Sequence, residues 1–468
     1  MTTPPGRRLP RAGWNAAGDS RGKRLPFRCA ATWPDWAEPV HARQVSLAVA
    51  GEPRYQPRYA RSGQIRVAIA FDNFGPYHIA RLAAAAREVE VLAIERASTS
   101  ALYAWDSPEA PANLARVVLS PDGKGTRSDD VFAAIEAKVA PFRPDAVAVP
   151  GWSSQMALAL ASWAVARGIP VIAMSETNPW DFERKWGTEQ LKRRIFEYFT
   201  AGLCTNDGQA AYLNTLGLPR EAIFRGYNAV DNAYFRRMAG IARTAPMPNG
   251  DGGTPLPEAA RGRYFLASNR FIPKKNLATM LDAYARFRHG RDDDSADWPL
   301  VLLGDGDLRV DLERQRSALG LERHVHMPGF RQYDELPAYY GTAGCFVHAS
   351  TVEQWGLVVN EAMAASLPVI VSDRCGCAAV LVRDGVNGFT FPPHDRDALT
   401  AAMETIANVD DDSAMREVSL ALVAECAPER FGQGMANAAR YALAAPSARP
   451  SLPAKAVVSF LMRRMSAG

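Results

Sequence analysis

From Ile65 onward the chain alternates short apolar runs with longer helical stretches, and this alternation limits the folds open to it. Parallel strands need a crossover between them, and the crossover is usually a helix. The runs predict strands at Ile65–Phe71, Val89–Ile94, Val117–Leu119, Ala146–Val149, Val171–Met174, Leu203–Asn206 and Ile223–Tyr227. A second series follows at Tyr264–Ser268, Leu300–Leu303, His324–Met327, Gly344–Val347 and Val369–Val371. Helices are expected between them, among others at Tyr77–Arg87, Val131–Ala140, Ser154–Arg167, Leu277–Arg288, Leu308–Leu319 and Val358–Ala365. Residues 244–260 hold four prolines and three glycines and read as a linker. The expected fold class is therefore α/β, with two Rossmann-like, doubly wound parallel sheets facing a cleft. The expected divisions are an arm at 1–64, a first domain at 65–243, the linker at 244–260 and a second domain at 261–427. A helix at 428–445 is expected to cross back to the first domain, ahead of a tail at 446–468. A chain of 468 residues is too long for one ordinary core, which agrees with two domains.

Charge is unevenly spread. Residues 1–64 carry eleven Lys/Arg against four Asp/Glu, so a chain of net charge +4 has a mildly acidic folded part. This distribution argues against nucleic-acid binding by that part. The arm has no sustained period and is expected to be disordered or loosely attached. The six cysteines (Cys29, Cys204, Cys345, Cys375, Cys377 and Cys426) include no CxxC, which argues against a zinc site. Apolar surroundings at Cys204 and Cys345 suggest buried thiols in a reducing compartment. No apolar run reaches the ~18 residues that span a bilayer, and Arg7-Arg8 has no apolar stretch behind it. The expected location is the cytoplasm, with peripheral contact at the inner face of the membrane left open. The segment Val457–Met465 reads as a frayed end more than as a membrane-surface anchor.

The densest chemistry lies in Glu353-Gln-Trp-Gly-Leu-Val-Val-Asn-Glu361, where two carboxylates stand eight positions apart. If that span is mostly helical, the two are separated by roughly 12 Å along the axis. That suits the two hydroxyl-bearing ends of a sugar nucleotide, with helix-start N–H groups at Gly356 and Leu357 facing the diphosphate between them. Arg270-Phe-Ile-Pro-Lys-Lys275 follows a strand and can converge two cations, Arg270 and Lys275, on one anionic group. Gly304-Asp-Gly306 permits a tight turn. His326-Met-Pro-Gly329-Phe330-Arg331 ends a strand where a nucleobase could rest. Cys375-Gly-Cys377 supplies small residues before a helix. The acidic triplets Asp292–Asp294 and Asp410–Asp412 lie in polar loops and read as solvated surface.

These motifs resemble the retaining glycosyltransferases of family 4, which have the GT-B fold. The matching residues are Ser268-Asn-Arg270 with Lys275, Gly304-Asp-Gly306, Val325 through Gly329, Glu353 through Val369, and Asp384-Gly-Val-Asn-Gly388. Asn228-Ala-Val-Asp231 with Phe235 resembles the signature that closes the family's first domain. The resemblance spans about residues 65–445 and is specific in the second domain, weak in the first. It implies that Arg270 and Lys275 hold the donor diphosphate, that Glu361 accepts from the ribose, and that Glu353 contacts the transferred sugar. Backbone around Gly356 and Leu357 would touch phosphate. It further implies a metal-independent reaction with no cofactor, in which donor phosphate oxygen deprotonates the acceptor.

The chain departs from the family pattern in places. Trp355 is expected to narrow the pocket, and Ser366-Leu367 replaces a glycine. A first-domain histidine is missing at Met174-Ser-Glu176-Thr. Glu176 or His78 is open as its substitute, with a salt bridge or a helix cap as the plainer roles. Gly75 is expected to open the first loop to phosphate or acceptor. The function read here is transfer of a hexose from a nucleoside-diphosphate sugar to a hydroxyl of a glycan, a lipid-linked glycan or a small molecule. A sugar-nucleotide epimerase or a non-catalytic sugar-nucleotide-binding protein stays as the alternative. A nicotinamide-dependent dehydrogenase is disfavoured, because Asp72-Asn-Phe-Gly-Pro76 follows the first strand where GxGxxG would stand.

Overall fold

The computed structural model describes residues 63–97, 114–120, 127–289 and 298–466. The basic arm up to residue 62, Cys29 and Asp292–Asp294 lie outside these residues. The described residues form two all-parallel sheets. The first is built from β1 (Arg66–Phe71), β2 (Glu90–Glu95), β3 (Ala115–Val118), β4 (Ala146–Val149), β5 (Val171–Met174), β6 (Ala201–Cys204) and β7 (Ile223–Arg225). Its spatial order is β3-β2-β1-β4-β5-β6-β7. Its helices are α1 (Pro76–Ala85), α2 (Ser128–Lys138), α3 (Gln155–Ala166), α4 (Trp186–Phe196), α5 (Asp207–Thr215) and α6 (Asn232–Ala242).

The second sheet contains β8 (Phe265–Ser268), β9 (Leu300–Leu303), β10 (Val325–Gly329), β11 (Cys345–His348), β12 (Val369–Ser372) and β13 (Gly388–Phe391), in the order β10-β9-β8-β11-β12-β13. Its helices are α7 (Leu277–His289), α8 (Arg309–Ala318), α9 (Leu336–Thr342), α10 (Leu357–Ala364), α11 (Ala378–Leu381) and α12 (Arg396–Ala407). Then come α13 (Ser413–Val423), α14 (Pro428–Ala444) and α15 (Leu452–Ser466).

Central strands such as Val67–Phe71 and Val369–Val371 are apolar and buried along their whole length, as a parallel sheet covered on both faces requires. Strand order reverses between β1 and β4 and again between β8 and β11. Loops leaving the carboxyl ends of those strands diverge, and the crevice they leave is where such sheets bind ligands. Side-chain caps set several helix starts: Asn206 opens α5, Asp231 opens α6 and Asp395 opens α12. Residues 244–260 are pinned to the second body. Met247 and Leu256 share its core with Val230 and Phe235, and Asp251 pairs with Arg316.

Helix α14 returns to the first sheet as expected. Phe431, Met435, Ala438, Ala439 and Ala442 are buried with Leu82, Ala85 and Tyr227. Two features differ from the sequence reading. Edge strand β13 was not anticipated, because Gly388-Phe-Thr-Phe391 is short and only half buried. The tail is a docked helix, not a frayed end. Ala454, Val458 and Met462 recur every fourth residue and bury one stripe of α15 beside α3, leaving Leu452 (81%) and Phe460 (63%) exposed. Of the acidic triplets, Asp410–Asp412 opens α13. Asp411 accepts from the Ser413 N–H, and Asp412 pairs with Arg416.

Phe431→Ala removes a fully buried ring from the crossing helix. It is expected to lower unfolding free energy by about 3–5 kcal/mol in a urea titration. A loss below about 1 kcal/mol would mean that α14 is not anchored through this ring.

Candidate functional site

Loops from the carboxyl ends of β8, β9, β11 and β12 meet at the second switch point. After β8 the chain passes half-buried Arg270 and makes one helical turn, Pro273–Lys275. Lys274 Nζ donates to Glu353 Oε1 at 3.3 Å, and Lys275 Nζ donates to Oε2. Ser350 Oγ donates to the same oxygen from 3.3 Å. Burial alone would raise the Glu353 pKa, but Lys275, His348 and Lys274 outweigh it and hold the carboxyl at about 2. His348 is itself held at about 3 by burial and Lys275, so near neutral pH it is uncharged and the lysines keep Glu353 ionised.

Glu361 faces the opposite situation. It is fully buried on α10 and accepts from Tyr340 Oη at 2.7 Å and from Tyr77 Oη. Burial pushes its pKa up to about 7 against the pull of those two phenols. Tyr77 belongs to α1 of the first domain, so this bond crosses between the sheets. Its ring meets Tyr333 edge-on at 6.0 Å, and Tyr333 stacks on Tyr234 at 4.9 Å.

The span between the glutamates is only half helical. Helix α10 starts at Leu357 after Gly356, whose φ of 107° a residue with a Cβ would not readily adopt. Glu353 precedes the helix in an irregular segment that makes an isolated parallel bridge to Cys375. An axial rise of helix therefore does not measure the separation of the two carboxylates. The Glu353 N–H donates to Arg374 O (3.1 Å), the Gly376 N–H to Glu353 O (2.9 Å) and the Cys377 N–H to Trp355 O (3.1 Å). The Cys375–Cys377 loop thus acts as a splint for this stretch. Burial pushes both thiols up and keeps them protonated. Trp355 does not narrow a pocket. It is buried in the core, with Nε1 donating to Asn360 Oδ1 at 2.8 Å. Ser366 adopts a φ of 64°, the backbone of the glycine it replaces.

Two further loops line the same edge. Gly304 leaves no room for a Cβ, which would fall 1.8 Å from Asn269 O. The Phe271 N–H donates to Asp305 O (2.8 Å) and the Gly304 N–H to Gly329 O (3.0 Å), joining the Arg270, Gly304 and Gly329 loops. Phe330 is 37% exposed beyond Gly329, and Arg331 Nε donates to Tyr339 Oη at 2.9 Å.

From the first domain, the Gly75 N–H donates to His78 Nδ1 at 3.0 Å. His78 is thereby a cap for α1, packed 4.5 Å from the Phe71 ring, and burial with Arg81 lowers its pKa to about 3. Glu176 follows β5, partly exposed. Burial raises its pKa, Arg81 opposes, and Glu353 adds to the rise. Its loop is bonded to the second domain: Asn178 Nδ2 donates to Gln354 O (2.7 Å) and Arg374 Nη2 to Trp180 O (2.9 Å), and from the neighbouring start of α5 Asn206 Nδ2 donates to Gly376 O (2.9 Å).

The structure brings Lys275, Glu353, Gly356 and Leu357 together with Glu361 one helical turn on, and sets Glu176 opposite. It spends one His78 nitrogen on a cap. Sequence reasoning missed Lys274, Tyr77, Tyr340 and Asn178. Tyr77 stands between the two first-loop candidates Gly75 and His78, which was the only available signal. Among the described residues, no three His, Cys, Asp or Glu side chains gather as a metal-binding group.

Residues 255–417 match the sequence model of the family described as Glycosyl transferases group 1. Curated relatives match over partial lengths. An alpha-D-kanosaminyltransferase of Streptomyces kanamyceticus is 30% identical over 32% of this chain and 36% of its own. A GDP-mannose-dependent alpha-(1-6)-phosphatidylinositol monomannoside mannosyltransferase of Mycolicibacterium smegmatis is 31% identical over 36% of this chain and 47% of its own. The chain thus spans less than half the length of either. Solved structures match more of the chain. Anabaena HepE with UDP and glucose superposes with a TM-score of 0.60 at 18% identity, covering 80% of this chain and 98% of that one. The trehalose-6-phosphate synthase OtsA gives 0.59 at 11% identity, covering 79% and 97%. The shared fold is GT-B, and the stretch that matches the group 1 model spans all six strands of the second sheet.

Glu361 is protonated more readily folded than unfolded, so its contribution to stability is present below about pH 4.5 and is lost as pH rises through about 7. Glu361→Gln keeps a neutral side chain there. Between pH 5 and pH 8 the variant is expected to gain on wild type by up to roughly 3 kcal/mol. Urea midpoints at both pH values check this, and parallel pH profiles would contradict the raised pKa.

Proposed function

We propose that the chain is a retaining, family 4-like glycosyltransferase that moves a hexose from a nucleoside-diphosphate sugar to an acceptor hydroxyl. One observation carries the reading: at the switch-point edge of a group 1 domain, an ionised Glu353 is held by two lysines while a buried Glu361 is held by two hydroxyls. A ribose diol offers the same O–H donors to Glu361 that Tyr77 and Tyr340 offer now. Glu353 would accept from hydroxyls of the transferred sugar. Arg270, with Lys274 and Lys275, would neutralise the departing diphosphate, beside N–H groups at Gly356 and Leu357. Gly329, Phe330 and Arg331 form the side on which a base would rest. In this reading the cations carry the leaving-group charge with no divalent metal. The acceptor proton passes to a donor phosphate oxygen on the face where the new bond forms, so anomeric configuration is retained. Domain closure excludes water.

One structural neighbour is in complex with UDP and glucose and one relative is GDP-mannose-dependent, so both donor classes belong in the test. The acceptor in this reading is a glycan, lipid-linked or small-molecule hydroxyl. The enzyme would work in the cytoplasm, with peripheral contact at the inner membrane face through the exposed Leu452 and Phe460 of α15. Among the described residues no helix is long and apolar enough to cross a membrane.

A thermal-shift screen against UDP-, GDP-, ADP- and dTDP-sugars tests the reading, since a ligand of the folded state raises its melting temperature. With the donor found, Glu361→Ala is expected to weaken its binding by roughly 10–100-fold. Arg270→Ala is expected to lower the transfer rate by about 100-fold. Product anomers read by NMR report retention. Failure of every donor to shift melting, or wild-type transfer by Arg270→Ala, would remove the proposal. Donor converted to an epimer without acceptor would favour the epimerase.

A further inference from the structure

Arg81 is an unusual residue for a helix interior. It lies on α1 and is 1% exposed. Its Nε donates to Ala229 O at 3.0 Å, and its guanidinium sits 5.3 Å from the centre of the Tyr227 ring. Nη2 is buried with no hydrogen-bond partner. Next to Ala229 stands Asn228, fully buried, and neither side-chain amide atom has a partner. A buried guanidinium without an ion-paired carboxylate is among the most costly arrangements a core can hold, and a buried amide with nothing bonded to it adds to the cost. Such local violations gather where a ligand is bound.

The position also points to the cleft. Arg81 follows Tyr77 by four residues, so the two side chains share one face of α1, and Tyr77 already reaches Glu361 in the other domain. The Arg81 charge is also what opposes burial at Glu176, the first-domain carboxyl that faces Glu353.

We propose that Arg81 and Asn228 form an oxyanion-binding site on the first domain, taking a phosphate oxygen of the donor's diphosphate or of an anionic acceptor. The guanidinium fork suits two oxygens of one phosphate, and the Asn228 amide can donate to a third or accept from a neighbouring hydroxyl. The site rests on the donor reading only in lying beside it.

The test is calorimetric titration of the full chain with inorganic phosphate and with UDP, GDP, ADP and dTDP, on wild type, Arg81→Met and Arg81→Lys. The lysine variant keeps the charge without the fork, and serves if the methionine variant does not fold. Arg81→Met is expected to melt at or above the wild-type temperature, because an unpaired buried charge is gone, and to bind phosphate at least tenfold more weakly. Arg81→Lys is expected to fall between. An equal loss for the nucleoside diphosphate assigns the oxyanion to the donor. Unchanged nucleoside diphosphate affinity, with phosphate binding weakened in its presence, assigns it to the acceptor. A folded variant that matches wild type for every anion that wild type binds overturns the site and leaves the donor reading standing. A wild type that binds phosphate but no nucleoside diphosphate does the reverse, and one that binds neither overturns both.

Discussion

Residues 353–356 form an irregular stretch at the centre of a buried sheet edge, and their main-chain groups have to find partners away from water. They find them on two sides. The Cys375–Cys377 loop supplies an N–H to Glu353 O and another to Trp355 O, while the first domain's Asn178 supplies one to Gln354 O. The same hydrogen bonds that satisfy this backbone fix the heading of the Glu353 carboxylate toward Lys274 and Lys275. They also tie the Glu176 loop to the second domain, so the relation between the two sheets and the shape of the site rest on one set of contacts. Gly356 then turns the chain into α10 and sets Glu361 on the next turn.

The two glutamates show how much setting outweighs residue type. Both are largely buried, and burial alone would neutralise both. Glu353 is kept anionic because two ammonium groups approach its oxygens, while Glu361 has only phenol O–H groups and is poised near neutrality. Phenols hydrogen-bond without supplying charge, so they lower the cost of the carboxylate only in part. One strand-loop-helix thus presents a fixed negative charge at one end and a hydrogen-bond acceptor of adjustable charge at the other.

The parallel sheets were legible because each strand is a short apolar run with helix on either side, and the crossing helix because its apolar period continues past Pro428. Lys275 and Glu353 were legible because they sit in loops that follow buried strands, and Glu361 because the helix that begins just after Glu353 carries it. What the sequence hid shares a physical cause. Tyr77 meets Glu361 across 284 residues of chain, and Asn178 meets Gln354 across 176. No local pattern reports such pairings. The condition that the Glu353–Glu361 span be mostly helical fails because Leu357–Ala364 carries helical character that the irregular 353–356 stretch does not share. The docking of α15 needed only its every-fourth-residue stripe, which the sequence displays. The segment is short and sits at the end of the chain, so it reads as a frayed end, and the buried stripe shows only once α3 is beside it.

The cross-domain bond of Tyr77 has a further consequence for closure. In this state the buried Glu361 has both oxygens occupied, one by each domain, so no carboxylate oxygen is left unsatisfied. A ligand hydroxyl arriving at Glu361 either shares a lone pair with Tyr77 or displaces it. Displacement would release one of the bonds holding the domains together, alongside those of Asn178, Asn206 and Arg374. If the first bond is exchanged like for like, O–H for O–H, its net energetic cost is small. The remaining bonds run to main-chain carbonyls that no sugar nucleotide need touch. The seam can therefore hold its register while the partner of Glu361 is exchanged, and under the proposed donor reading entry would fall on the Tyr77 side, where α1 also carries Arg81.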